Sequence, residues 1–583
     1  MASIRLALGQ TNPTVGDLRG NSAQTLAAAR KAFAAGADLF AVGEMALSGY
    51  PIEDLAARPN FLAASRAELV ALAKTLDEEG MGEMPIVVGH PDGPFEPRLL
   101  GTSNAPTAIA TNSASVLHRG AILGTYTKHH LPNYSVFDEY RIFIPGDELL
   151  VVRLNGVDIA LVICEDLWRE GGPVSRVLDA GAEVLLTINA SPFERDKDDV
   201  RLPLVARRAR ETKSYVAYVN IVGGQDDLVF DGDSVVVDPD GTVLARAPQF
   251  SESLLITDLA ITPGPLEEIQ DSVSVITIDT EPRERHDLDV LTGVATPPDD
   301  LEQIWNALVL GLRDYVQKNG FKTVALGLSG GIDSAVCAII AADAIGAEHV
   351  YGVSMPSQWS SDHSRSDAED LAERIGLHYE TQAIADLVAP IESQLELSGL
   401  AAENVQARVR GVILMGLSNM HGHLILSTGN KTEVAVGYST IYGDTVGGYA
   451  CIKDVPKTLV WELAEWRNAH AERHGQVPPI PENSIAKPPS AELRPGQVDQ
   501  DSLPPYPVLD GILERIISQR EGRDEIIAAG YSDADVDHII SLVDRSEWKR
   551  RQGAIGPKIS GMAFGRDRRL PITYRPSHIR GEE

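Results

Sequence analysis

The stretch that most constrains this chain is Gly327-Leu328-Ser329-Gly330-Gly331-Ile332-Asp333-Ser334. Before it runs Thr323-Val324-Ala325-Leu326, an apolar segment that reads as a buried strand. After it comes Ala335 to Ala342, which reads as a helix with an apolar face. A strand, a glycine turn and a helix start leave backbone N–H groups unpaired and aimed outward, where the helix dipole favours an anion. Gly330 and Gly331 allow the backbone to come close to a phosphate, and Ser329 and Ser334 add hydroxyl donors. Asp333 is the odd member. A carboxylate beside phosphates repels them unless a cation lies between, so Mg²⁺ is expected there, taking carboxylate and phosphate oxygens together. No lysine follows the glycines, which excludes the G-x-x-x-x-G-K-[ST] loop.

At 583 residues the chain has room for two or three domains of roughly 150 residues. It carries 83 acidic against 51 basic residues, a net charge of −32. That argues against nucleic acid or an anionic membrane as a partner, and leaves small anionic ligands held by local groups. Three cysteines (Cys164, Cys337, Cys451) are too few for a disulfide framework. Met1 to Arg5 shows no start of a signal peptide, and no apolar run reaches about 18 residues, so a cytoplasmic location is expected.

In the first half, Ile4 to Leu8 alternates like a strand and Thr25 to Ala35 reads as a helix. Ala37 to Val42 is a second strand running into Gly43-Glu44. Glu44, at a buried strand's carboxyl end, suits either chemistry or an ion pair. Ser113 to Leu117 and Ala121 to Tyr126 read as a hairpin that delivers Lys128. His129 and His130 are adjacent and point opposite ways on a strand, so they read as structural rather than as a metal pair. Val157 to Ile163 is an apolar strand ending at Cys164-Glu165-Asp166. A cysteine there is core packing or a nucleophile; the two acids raise its pKa unless a cation such as Lys128 compensates. Asp233 to Val243 reads as a hairpin around Pro239-Asp240-Gly241.

Glu44, Lys128 and Cys164, in this order and each at a strand end, resemble the triad of the nitrilase (carbon–nitrogen hydrolase) superfamily. The strings Leu47-Ser48-Gly49-Tyr50-Pro51, Leu131-Pro132 and Ile163-Cys164-Glu165-Asp166 support the likeness. The resemblance implies an α-β-β-α sandwich in which Cys164 forms a thioester, Glu44 carries the proton, and Lys128 stabilises oxyanion and thiolate. Gly43 departs from the family, where proline is more frequent. Asn189 to Phe193, Lys197 and Val219 to Asp226 resemble the glutamine-specific branch, which implies glutamine contacts at Tyr134, Ser191 and Lys197. From the residues alone, Ser191 also reads as a turn before proline and Lys197 as a surface charge.

From Thr262 to Leu301 prolines 263, 265, 282, 297 and 298 suggest a crossing between domains, with Val273, Val275 and Ile276 able to form a strand. Leu301 to Gln317 is an amphipathic helix. Beyond the loop, His349 to Pro356 reads as a strand, and Ser364 to Ile375 as a helix with Ser364 as N-cap and Gly376 just past its end. Continued alternation predicts a doubly wound parallel sheet with ligands at the strands' carboxyl ends. Ser354 to Ser357, Ser360 and Ser361 sit where a second strand would meet adenosine. Asn404 and Arg408 share one helix face. Leu424 to Glu433 repeats the strand, turn and helix start, and Glu433 offers Mg²⁺ a second carboxylate.

The loop resembles the S-G-G-x-D-S pyrophosphate loop of enzymes that split ATP into AMP and pyrophosphate. With Gly437 to Thr440, Gly443-Asp444, Val455 to Thr458, Lys487 to Leu493 and Glu547 to Gln552, residues Leu301 to Tyr574 resemble the NAD synthetase domain, an adenine nucleotide α-hydrolase-like fold. Both halves together resemble the glutamine-dependent, two-domain NAD synthetases. The resemblance implies a glutaminase domain at 1–265, a linker at 266–300 and a synthetase domain at 301–583. It implies ATP contacts at Gly327, Leu328, Ser329, Gly330, Gly331, Ile332, Asp333, Ser334 and Thr428. It implies deamido-NAD or metal contacts at Asn404, Glu433 and Lys549, with Mg²⁺ on Asp333 and Glu433. Ser484 to Pro504 is expected to be a mobile lid. A passage for ammonia between the sites and a homo-oligomer, a dimer of synthetase domains or an octamer, are also implied. Two rival readings are another ATP-splitting amidotransferase, which the motifs from Asn404 to Lys549 disfavour, and an amidase whose second half only senses nucleotides.

Overall fold

The computed structural model describes residues 2–96, 108–262, 272–281, 283–286 and 292–573. The chain divides into two units, Met1–Gln225 with Val229–Pro298, and Asp299–Glu583 with Asp226–Leu228.

The first unit contains β1 (Ala2–Gln10), β2 (Leu39–Val42), β3 (Ile86–Asp92), β4 (Thr111–His118) and β5 (Ala121–Thr127). It continues with β6 (Leu149–Leu154), β7 (Val157–Ile163), β8 (Val184–Asn189) and β9 (Tyr215–Asn220). A ribbon of β10 (Val222–Gln225) and β11 (Leu228–Asp231) follows. Then come β12 (Val235–Val237), β13 (Val243–Arg246), β14 (Ser253–Ile261) and β15 (Val273–Ile278). Two main sheets result, ordered β14-β1-β2-β3-β4-β5 and β13-β12-β9-β8-β7-β6-β15.

Period-two alternation sorts their side chains. Ile4, Leu6 and Leu8 meet Ile159, Leu161 and Ile163 in the core between the sheets. Ala7, Phe40 and Val42, on the opposite face, pack on Ala29 of helix Leu18–Ala34 and on Leu69 and Leu72 of helix Pro59–Glu78. Ala160 and Val162 pack on Val205 and Ala209 of helix Asp198–Thr212. The four layers are the expected α-β-β-α sandwich. With both faces covered, β7 reads as a continuous apolar run.

The segment read as a crossing contains the strand expected at Val273, Val275 and Ile276. β15 pairs in parallel with β6, Val273 opposite Leu149 through Ile278 opposite Leu154, so it forms the edge of the first unit's sheet. Pro263, Pro265 and Pro282, the expected boundary at 265–266, and Tyr574 lie outside the described residues.

The second unit contains β16 (Val324–Gly327), β17 (Val350–Ser354), β18 (His378–Thr381), β19 (Leu424–Ser427) and β20 (Tyr449–Ala450). All pair in parallel in the order β18-β17-β16-β19-β20. The strand order reverses at β16, and an open α/β sheet binds ligands outside the strand ends at such a switch point. One N-cap differs from expectation. The helix runs Asp362–Ile375, and its cap is Ser361, which accepts the Ser364 N–H at 3.2 Å. Both serines fit the cap pattern and both hydroxyls donate to Glu492, at 2.9 Å and 2.8 Å; the extended backbone at Ser361, φ −67° and ψ 153°, makes it the cap. Gly376 ends the helix at φ 75°, as expected. Among the described residues no helix is long and apolar enough to cross a membrane.

Candidate active sites

In the first unit three strand ends converge. β2 runs out to Glu44, β5 to Lys128 and β7 to Cys164. Cys164 has φ 44° and ψ −97°, a backbone conformation that persists in a non-glycine residue only when its surroundings impose it. The Lys128 ammonium is 1% exposed and lies 2.7 Å from Glu44 Oε1 and 2.9 Å from Glu139 Oε1. Glu44 also accepts the Asn112 amide at 2.6 Å and the Ala190 N–H at 2.9 Å. Tyr50 donates its hydroxyl to Glu139 at 2.8 Å.

Burial opposes the charge on Lys128, but Glu139 and Glu44 outweigh it and hold the amine well above its ordinary pKa. Burial, then the Glu44 charge, pushes the Cys164 thiol up, while Lys128 pulls it down. The resting group is therefore a thiol that needs a base beside it. Burial pushes Glu139 up to about 7, with Lys128 lowering it and Glu44 raising it.

Tyr134 donates to Glu165 Oε2 at 2.8 Å, and Arg169 donates to Glu165 Oε1 at 2.7 Å. The Ser191 N–H donates to Asn220 at 2.9 Å. Lys197 donates to the Pro192 carbonyl at 2.9 Å and lies 6.0 Å from the Trp168 ring centroid, on the short helix after Cys164. His129 Nδ1 sits 2.7 Å from the Gly146 carbonyl, in keeping with a structural role. Glu139 and Asn112 escaped the sequence reading. Glu139 lies in a 3₁₀ turn rather than at a strand end, and Asn112 carries no motif.

In the second unit a cavity of about 360 Å³ opens at the strand ends, with Gly327, Ser329, Gly331, Asp333, Thr428 and Lys549 in its wall. Gly330 lies behind the wall rather than in it. Its φ is 74°, and a Cβ there would fall 2.1 Å from the Ser364 carbonyl oxygen, so only glycine fits. The Ser329 and Ser334 hydroxyls are 3.1 Å apart. Asp333, in the first turn of helix Ile332–Ile345, pairs with the Lys457 ammonium and accepts the Asn430 amide at 3.0 Å. Asn430 and Glu433 form a capping box at helix Lys431–Val436. Desolvation, then the Asp333 charge, pushes Glu433 up to about 8, with Lys457 opposing.

Two acidic side chains close enough for the Asp333 charge to raise Glu433, beside a phosphate-type turn, suit a divalent cation. Among the described residues no group of three or more His, Cys, Asp or Glu could hold a metal unaided. Mg²⁺, which keeps waters and takes substrate phosphates alongside one or two carboxylates, fits such a pair. The pairing of Lys457, 1% exposed, with Asp333 was not legible because 124 residues separate them.

Asn404 is not in the cavity wall. Its amide oxygen accepts the hydroxyl of Thr440, which is, at 2.7 Å. Lys549 donates to the carbonyls of Gly437 and Ser439, both at 2.8 Å, and burial lowers its pKa. The expected lid lies against the cavity. The Ser484 hydroxyl donates to the Gly330 carbonyl at 3.0 Å, Lys487 pairs with Asp367 at 3.1 Å, and Lys487 to Leu493 line the wall.

Each unit thus holds one candidate site, and comparison with known proteins gives the class of enzyme. Residues 5–262 match the carbon–nitrogen hydrolase family and residues 304–553 the NAD synthase family. The chain is 44% identical to a glutamine-dependent NAD(+) synthetase of Xanthomonas campestris pv. campestris, over 98% of this chain and 97% of that one. It is 44% identical to that of Rhodobacter capsulatus, over 98% of each. The solved structure of glutamine-dependent NAD+ synthetase from Acinetobacter baumannii in complex with ADP aligns over 98% of both chains with a TM-score of 0.72 and 38% identity. The chain belongs to the glutamine-dependent NAD(+) synthetase family.

Proposed function

We propose that the first unit releases ammonia from glutamine and that the second uses it to amidate deamido-NAD through an adenylate, giving NAD, AMP, pyrophosphate and glutamate. The observation that carries the reading is Lys128 held between Glu44 and Glu139 beside the Cys164 elbow, in one chain with the Ser-Gly-Gly-x-Asp-Ser turn.

Glu44 takes the Cys164 proton as Sγ attacks the glutamine δ-carbon, and Lys128 stabilises the oxyanion. Glu44 returns the proton to the departing ammonia, then takes one from the water that hydrolyses the thioester. Glu165 with Tyr134, together with Ser191 and Lys197, surround the place for the amino-acid end of the substrate. In the second unit the nicotinate carboxylate attacks the ATP α-phosphorus, and backbone N–H groups at the helix start, Ile332 to Ser334, hold the leaving pyrophosphate. Thr428 lies beside the nucleotide, while Glu433, Lys549 and, through Thr440, Asn404 shape the dinucleotide side. Asp333 and Glu433 would hold Mg²⁺, which supplies neutralisation of phosphate charge when bound. Ammonia then attacks the acyl-adenylate and AMP leaves. Ammonia is mostly ammonium at neutral pH and a poor nucleophile in that form, so a closed passage between the sites is part of the proposal.

Pyrophosphate release on adding deamido-NAD, ATP and glutamine is the direct test. Amide hydrolysis without pyrophosphate would leave only the amidase reading. We expect glutamine hydrolysis to accelerate when deamido-NAD and ATP are both present. A turnover indifferent to them counts against coupling.

A pH dependence follows from Glu139. Below about 7 it is neutral and Lys128 balances Glu44 alone; above, a second carboxylate adds negative charge where an oxyanion must form. kcat/KM for glutamine should therefore fall through an apparent pKa near 7, and Glu139→Gln should remove that limb. A limb that survives the substitution refutes the assignment.

Exposed apolar side chains Val412 (71%) and Met420 (72%) on helix Leu400–His421 support association of second units in a homo-oligomer. Three free, buried cysteines suit the proposed cytoplasmic location.

A further inference from the structure

We propose that Asp166 is the positioning residue that locks the Cys164 elbow and the Lys128 loop into one geometry, an inference that rests on the glutaminase reading above. Lys128 directly follows β5 and Cys164 directly follows β7, and these strands belong to different sheets. No hydrogen-bonded ladder therefore sets the distance between the two strand ends. A separate tie is needed, and Asp166 has the contacts of one.

Its side chain is fully buried. Oδ1 accepts the His130 N–H at 2.8 Å and the His129 N–H at 3.2 Å. Oδ2 accepts the Ile163 N–H at 3.1 Å and the Tyr126 hydroxyl at 2.7 Å. His129 and His130 directly follow Lys128, Tyr126 precedes it by two residues, and Ile163 directly precedes Cys164. One carboxylate thus grips both approaches to the reacting pair. The His130 ring approaches as well, its Nδ1 3.4 Å from Oδ1. Both oxygens are occupied by donors, so Asp166 acts through Lys128 and Cys164 rather than on the substrate. Charge-assisted bonds to backbone N–H groups are short and strong, which suits a clamp that must hold a strained backbone.

An amide cannot do the same. Whichever way the side chain turned in Asp166→Asn, its NH₂ would face N–H donors on one of the two sides, and that side would be released. The test uses the full-length Asp166→Asn protein. Glutamine-dependent kcat should fall by about 10²-fold, the scale of a roughly 1 Å misplacement. KM for glutamine should stay within about threefold and ammonium-supported synthesis should be unchanged, since only transition-state geometry is lost. Alkylation of Cys164 by iodoacetamide should slow. Tyr126→Phe removes one bond and leaves the backbone donors in place. It should lower glutamine-dependent kcat several-fold at constant KM, and it carries the test if Asp166→Asn does not fold. An unchanged kcat in the folded Asp166→Asn protein, or in Tyr126→Phe if Asp166→Asn is insoluble, overturns the proposal, as does a raised KM without loss of kcat. Glutamine-dependent synthesis surviving in Cys164→Ala would instead sink the glutaminase reading itself.

Discussion

Replacing Cys164 by alanine is expected to abolish NAD synthesis from glutamine and to leave synthesis from ammonium close to wild type. Removing a catalytic nucleophile costs on the order of 10⁶-fold in kcat, because the remaining pocket can bind but not form the covalent intermediate. Nothing nearby can substitute. Cys337 and Cys451, the remaining cysteines, are buried in the second unit. The change removes one sulfur from a well-packed site, so the fold should persist. The ammonium arm is the internal control, since the second unit meets ammonia directly. The paired measurement is NAD formed per minute with each nitrogen donor. Equal loss on both arms would mean that Cys164 supports the fold rather than the chemistry, and undiminished glutamine use would end the thioester mechanism.

Asp333→Ala is expected to lose both activities. Its carboxylate partners Lys457 and Asn430, and its charge raises Glu433. Alanine strips the turn of its acid, leaves the buried Lys457 ammonium with Glu433 as its near counter-charge, and removes half of the proposed Mg²⁺ site. Loss of one preorganised electrostatic contact typically costs about 10²–10³-fold, and this substitution disturbs three. Pyrophosphate release should fall at least that far with either nitrogen donor. Asp333→Asn separates charge from shape. It retains an acceptor for Asn430 but not the negative charge, and should be nearly as damaged. A fully active asparagine variant would show that the charge at this position is dispensable.

Sequence and structure divide this protein along a physical line. Elements defined by local pattern were legible: the β7 run, the hairpin ahead of Lys128, the strand, turn and helix around Ser329, and the glycine that ends helix Asp362–Ile375. Where local signals were degenerate, the reading slipped. Ser361 and Ser364 both suit an N-cap, and only the backbone, extended at Ser361 and already helical at Ser364, separates them. In the stretch after Thr262 the strand expected at Val273 to Ile276 is there as β15, but nothing local announces β6, more than a hundred residues earlier, as its neighbour.

Chemistry carried by a motif, such as Cys164 at a strand tip or Asp333 in its turn, is written along the chain because it depends on consecutive backbone. Partnership is not. Lys128 meets Glu44 across 84 residues and Glu139 across 11, Asn112 meets Glu44 across 68, and Lys457 meets Asp333 across 124. Sequence alone therefore singled out the groups proposed to react and the turn proposed to bind phosphate. Only the folded chain decided which charges hold those groups in their working state, because a pKa is set by burial and neighbours in space.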